Sequence, residues 1–212
     1  MSLFLGKIHY WLFNKILWFE KLEGEIIALA REEGINIEEL RKEINEKYGE
    51  PTPDLPLEEM IDTSNIHGWL QGKIHSAEGR MAAWTTKLIN NNKDVTAKLE
   101  EIYSIQGVKA ASEVKEKGME LTNAGEIFNS INDYILDGMP CDRVNEVIKS
   151  EEDIVEWKRR VCVHSDIWNK EEGDVDYFYK LRSLWVKEFV NAINSDFEYV
   201  EEDDNTMVIK RK

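Results

Sequence analysis

From Leu3 to about Arg31 the apolar residues return every three to four positions, with Leu5, Ile8, Leu12, Ile16 and Phe19 in one stripe and Phe4, Trp11 and Trp18 in a second beside it. That spacing is the period of an α-helix, and two adjoining stripes make it apolar over most of its circumference. Such a helix belongs at the centre of a core; attachment to a membrane surface and a dimer seam are the alternatives. After Gly34 a second helix is expected over 36–48, with Ile37, Leu40, Ile44 and Tyr48 on one face and Glu38, Glu39, Glu43 and Glu46 mostly elsewhere. Ala30 and Gly34 sit where a helix-turn-helix wants small residues. Four glutamates on a recognition helix would be repelled by phosphates, so the pair reads as an ordinary αα-hairpin over 3–48.

Pro51, Pro53 and Pro56 then interrupt the pattern, and the connector 49–56 cannot be helix interior. A short helix is expected over 57–61, and Ser64 or Asn65 caps the next one, which runs to about Asn90. Segments 94–105 and 109–121 read as solvated amphipathic helices, while Ile127, Phe128, Ile131, Tyr134 and Ile135 mark a more buried one. Ser150 with Asp153 resembles a capping box, which predicts a helix over 151–160; residues 161–164 alternate, as a short strand or extended loop would. The last long helix starts at Asp174 or Asp176 and turns Phe178, Leu181, Leu184, Trp185, Phe189, Ala192 and Ile193 inward. Two alternating runs around Asp203, Asp204 and Asn205 predict a terminal β-hairpin. The whole of 1–212 is expected to be a single, mostly α domain: an irregular multi-helix bundle with a small C-terminal β-hairpin.

Charge narrows the partners. Against 27 basic residues stand 42 acidic ones, and a net charge of −15 removes the electrostatic attraction on which nucleic-acid and anionic-membrane binding depend. Two cysteines, Cys141 and Cys162, are too few to staple a secreted scaffold, so a reducing cytoplasm is the expected compartment. Lys7, His9, Asn14 and Lys15 break the apolar start, leaving no uninterrupted run of the roughly 18 residues a membrane span requires. No phosphate-cradling loop, nucleophile elbow or dinucleotide fingerprint is present.

The richest segment is IHGWLQGKIHSAEGRMAAWTTKL, residues 66–88. On a helix, Ile66, Leu70, Ile74, Ala77, Met81, Trp84 and Leu88 share the core seam. Beside it run His67, Gln71, His75, Glu78, Ala82 and Thr85, and beyond these Gly68, Gly72, Gly79 and Ala83; Trp69, Lys73, Arg80 and Lys87 take the remaining, solvent-facing sector. Glycine costs about 1 kcal/mol in a helix, so its recurrence on one face predicts a close approach by another backbone or a flat ligand. The His/Gln/Glu row is therefore expected to face inward, where its polar groups need partners. His67, Gln71, His75 and Glu78 become candidate ligand-binding residues. His75 and Glu78 could share a divalent transition metal, whereas His67 lies roughly 12 Å from His75 along the axis, too far to join them.

Cys162 and His164 could supply further metal ligands, although no C-x-x-C or H-E-x-x-H spacing supports it, and a buried cysteine beside a locally satisfied histidine is the plainer reading. His9 gains interest only if it meets His67 or His75 in space. Three functional classes follow: a non-enzymatic protein binding a small molecule or a protein partner through a polar pocket; a metal-dependent enzyme with His75 or Glu78 as acid or base and Cys162 or His164 completing the site; and a structural homodimer seamed by the first helix.

Overall fold

The computed structural model describes residues 5–202 and 204–212; Leu3 and Phe4 of the first expected helix, and Asp203 of the expected turn, lie outside them. Among the described residues the chain forms α1 (Lys7–Glu32), α2 (Ile37–Tyr48), α3 (Leu57–Met60), α4 (Ile66–Asn91), α5 (Thr96–Glu116), α6 (Ala124–Asn132), β1 (Asn145–Ser150), β2 (Ile154–Arg159), α7 (Ser165–Lys170), α8 (Val175–Ile193), β3 (Phe197–Glu201) and β4 (Thr206–Arg211). It is a mostly α fold with a small antiparallel sheet. Backbone contacts divide it into two compact units. One takes the described residues up to Thr96 with Ile135–Met139 and His164–Val175; the other takes Ala97–Tyr134, Pro140–Val163 and Asp176–Lys212. The proline-rich connector lies inside the first unit.

In the first unit α1 and α4 run against each other, and α2 and α7 also pack on α4. Most of the apolar surface of α1 is used internally, with Leu12, Phe13, Ile16, Trp18, Phe19, Leu22, Ile26 and Leu29 buried, while Ile8 of the expected stripe is exposed and Trp11 half-buried. All seven seam residues of α4 are buried too. Side-chain caps set the helix starts, with Asn36 Oδ1 accepting from the Glu39 amide and Asn65 Oδ1 from the Gly68 amide.

In the second unit the strand order is β1-β2-β4-β3, antiparallel throughout. The terminal hairpin is present as β3 and β4. In its turn, Asp204 accepts from the Thr206 amide at 3.1 Å and hydroxyl at 2.6 Å and pairs with Lys158 at 2.7 Å. Lys158 and Thr206 hold its carboxyl down to about 2. The helix expected over 151–160 is instead the β1–β2 hairpin. Val155 and Trp157 are buried, while Ile154, Glu156 and Lys158 are half-buried, which is the period of a strand. The Glu151 amide donates to the Ile154 carbonyl at 2.8 Å, so Ser150 to Asp153 lead into a tight turn rather than cap a helix. Residues 161–164 form no strand.

The two helices expected over 94–121 are one, α5, which runs through Gly107 without a break. A Cβ at Gly107 would lie 2.3 Å from the Trp185 carbonyl oxygen, so the absence of a side chain is what lets α5 and α8 approach. Trp185 Nε1 then donates to Gln106 Oε1 at 3.0 Å across the same contact. Gly72 of α4 differs, since a Cβ there would meet nothing within 4 Å. Chemical denaturation should thus separate two identical substitutions. Gly107→Ala is expected to destabilise by about 1–3 kcal/mol through overpacking, and Gly72→Ala to stabilise by up to about 1 kcal/mol through helix propensity. Equal effects would show that the α5–α8 approach does not depend on Gly107.

Candidate functional site

The polar row on α4 does not keep one environment along the helix. His67, Gln71 and His75 are exposed, whereas every residue from Ala77 to Thr86 is buried. The expectation that His67, Gln71 and His75 face the interior is thereby corrected, and so is the assignment of Arg80 to solvent, because Arg80 is fully buried. The reason lies in the neighbours. Beyond Ser76 the helix is covered on further sides. A Cβ at Gly79 would strike the Tyr48 ring at 2.2 Å, so the end of α2 sits directly on it; one at Gly173 would lie 2.4 Å from Thr86 Oγ1, which places the chain after α7 against the other side. Of the three glycines expected to mark a close approach, Gly79 does so, Gly72 faces open space, and Gly68 meets only its own cap, Asn65.

Two buried ion networks occupy this half of α4. In the first, Arg80 Nε donates to both carboxylate oxygens of Glu23 at 2.9 and 3.0 Å, and Nη2 donates to Glu20 at 2.5 Å. Nη1 donates to Ser76 Oγ at 2.6 Å and to the carbonyls of Gly49 and Glu50 at 3.3 and 3.4 Å. Glu20 in turn accepts from the Thr52 amide and hydroxyl. Burial raises the Glu23 carboxyl above its ordinary value, against the opposing pull of Arg80. A single guanidinium thus ties α1, α4 and the start of the proline-rich connector together.

The second network brings together two of the residues singled out from sequence. His164, at the N-terminus of α7, has Nδ1 3.1 Å from Glu78 Oε1 and Nε2 3.0 Å from Asp137 Oδ1. The Glu78 contact is electrostatic, since Oε1 has no aligned hydrogen bond. Thr85 Oγ1, one further turn pair along the same face, is buried without a hydrogen-bond partner among the described residues. The ring lies between the two carboxyl groups and so joins α4 to the 135–139 segment through one buried polar side chain. All three groups lie in the same unit, and His164 and Glu78 are almost wholly inaccessible.

The other candidates are dispersed. Cys162 is exposed, with Sγ 3.2 Å from the Tyr179 hydroxyl, and the Arg159 guanidinium stacks 3.3 Å over the Tyr179 ring. Of the expected metal set of His75, Glu78, Cys162 and His164, His75 is exposed and Glu78 and His164 are buried, and among the described residues no three His, Cys, Asp or Glu side chains converge as a metal ion would require. His9 does meet His67, with ring centroids 5.9 Å apart. Its Nδ1 accepts from the Gly6 amide at 2.9 Å, so that nitrogen is engaged by the backbone at the start of α1.

Glu20, Glu23 and Asp137 escaped the sequence reading. A signal for the first two exists, because they are three apart on α1 and so share one face of it. Searches against family models, curated proteins and solved structures find no match for the chain.

A groove of about 510 Å³ lies elsewhere, between α5 and α8 in the second unit, lined by Ser104, Ile105, Val108, Glu113, Glu116 and Glu188, among others. Ile105 and Val108 are 45% and 41% exposed on its floor. The sequence had made this face of α5 simply solvated.

The second network makes a sharp energetic claim. His164→Ala takes the polar neighbour away from the buried Glu78 side chain and is expected to cost about 1–3 kcal/mol in urea unfolding. Combining it with Glu78→Gln should recover more than about 1 kcal/mol relative to additivity, while His75→Ala should stay within about 0.5 kcal/mol of the parent. Strict additivity of the His164 and Glu78 changes would dissolve the pair.

Proposed function

We propose that this chain is a non-enzymatic interaction protein and that the α5–α8 groove takes an amphipathic, basic helical segment of a partner protein. The observation that carries the reading is the pairing of an apolar floor with an acidic rim: Ile105 and Val108 stand one helical turn apart and exposed, and Glu113, Glu116 and Glu188 outnumber Lys109 around them. An apolar stripe repeating every three to four residues fits such a floor, and lysines or arginines flanking it meet the rim. Glu113 is partly engaged by Lys117 at 2.6 Å and by the Tyr134 hydroxyl at 3.1 Å, which leaves Glu116 and Glu188 as the principal charges offered to a ligand. The polar groups of the first unit support a structural role for themselves: Glu78 and His164 are buried, and His67, Gln71 and His75 line open surface rather than a pocket.

Cys141 and Cys162 are exposed, as thiols in a reducing compartment can be, and the cytoplasm remains our reading. Among the described residues no helix is long and apolar enough to cross a membrane. Titrating the full chain with a synthetic helical peptide carrying leucines on one face and lysines beside them, followed by NMR, tests the proposal. Saturable shifts at Ile105 and Val108 are expected, with at least about a tenfold loss of affinity in the Ile105→Glu, Val108→Glu double variant. Equal binding of an acidic analogue, or no binding up to about 1 mM, would contradict it.

A further inference from the structure

Independently of the groove, the two edges of the sheet differ in a way that points to a partner. Unpaired sheet edges recruit strands, and like charge along an edge is one of the devices that turn them away. The β3 edge carries Glu198 and Glu201, with Glu202 following, so any copy of itself arriving there meets like charge. Strand β1 is the opposite edge, with β2 on one side and, among the described residues, no strand on the other. It presents Val147 and Ile148, 46% and 54% exposed, between one acid and one base, Glu146 and Lys149.

In a regular strand residues three apart point to opposite faces. Here the register steps from Val147 opposite Trp157 to Lys149 opposite Glu156, so Ile148 is an extra residue. Glu146 stands opposite Lys158 and Lys149 opposite Glu156, and Lys158 and Glu156 share a face of β2. The bulge therefore sets Glu146 and Lys149 on one face of the sheet.

We propose that β1 pairs antiparallel with β1 of a second copy about a two-fold axis between Val147 and Ile148. That register opposes Glu146 to Lys149 of the second copy twice over, on the same face, and removes Val147 and Ile148 of both strands from water. The contact of Lys149 with Glu151 within the chain, 3.3 Å and exposed, is of the weak kind that such an exchange displaces. The net charge of −15 opposes the approach and makes the dimer a weak, concentration-dependent one.

Sedimentation equilibrium on the full chain provides the test. The parent protein is expected to dimerise reversibly below about 1 mM. Glu146→Lys alone, or Lys149→Glu alone, faces like charges across the axis and should weaken the dimer about tenfold or more. The double variant Glu146→Lys, Lys149→Glu should dimerise as the parent does, and an equimolar mixture of the two single variants should form heterodimers, which also shows that each is folded. A parent that stays monomeric, a dimer that persists in a single variant, or a mixture that fails to associate overturns the proposal.

Discussion

Arg80 carries a charge that cannot be removed at ordinary pH to a position with no exposure to water, and the first unit is arranged around that fact. A guanidinium taken out of water must find acceptors for its donors, and these come from three parts of the chain: Glu20 and Glu23 from α1, Ser76 from α4 itself, and the Gly49 and Glu50 carbonyls from the connector. Two carboxylates against one guanidinium leave an excess of negative charge, which burial resists by raising the Glu23 carboxyl and which Arg41 on α2 helps to balance. Such a cluster adds modest net stability compared with an apolar replacement, but it ties the connector to one place in the unit. Thr52, donating to Glu20 from within the proline-rich stretch, extends the same hold by two more hydrogen bonds.

The second buried polar contact, His164 between Glu78 and Asp137, likewise joins α4 to segments distant in sequence. Both networks draw on the stretch of α4 from Ser76 to Arg80, and both join segments distant in sequence. The result is a helix whose first turns are ordinarily amphipathic and whose middle stretch, Ala77 to Thr86, is enclosed. The chemistry-bearing side chains are thus committed to holding the unit together, which is why the functional reading rests on the surface of α5 and α8, where apolar groups stand exposed beside acids.

Much of the fold was legible because its helices are periodic. The seam on α4, the core position of most of α1, the cap at Asn65, and the terminal hairpin all follow from spacing and local chemistry. The hairpin over 145–159 was not, because Ser150 and Asp153 suit a turn and a helix cap equally, and only the alternation of Val155 and Trp157 with Glu156 and Lys158 separates the two. The site was legible in part: Glu78 and His164 were both singled out and do meet, whereas His67, Gln71 and His75 were placed on the wrong side of the surface. A helical wheel projects all turns onto one circle and so hides a change of burial along the axis. The run Ala82, Ala83, Trp84, Thr85 and Thr86, without a charge on any side, carried the signal that the later turns are enclosed all round.

The claim that one guanidinium organises the first unit is tested most directly by amide hydrogen exchange on Arg80→Met, a change that keeps much of the side-chain volume and removes the charge. The account predicts that protection of the Thr52 amide is lost and that exchange accelerates at the amides of α1 around Glu20 and Glu23, with global stability falling by about 3–5 kcal/mol as two buried carboxylates lose their partner. Unchanged protection at Thr52, with stability within about 0.5 kcal/mol of the parent, would contradict it.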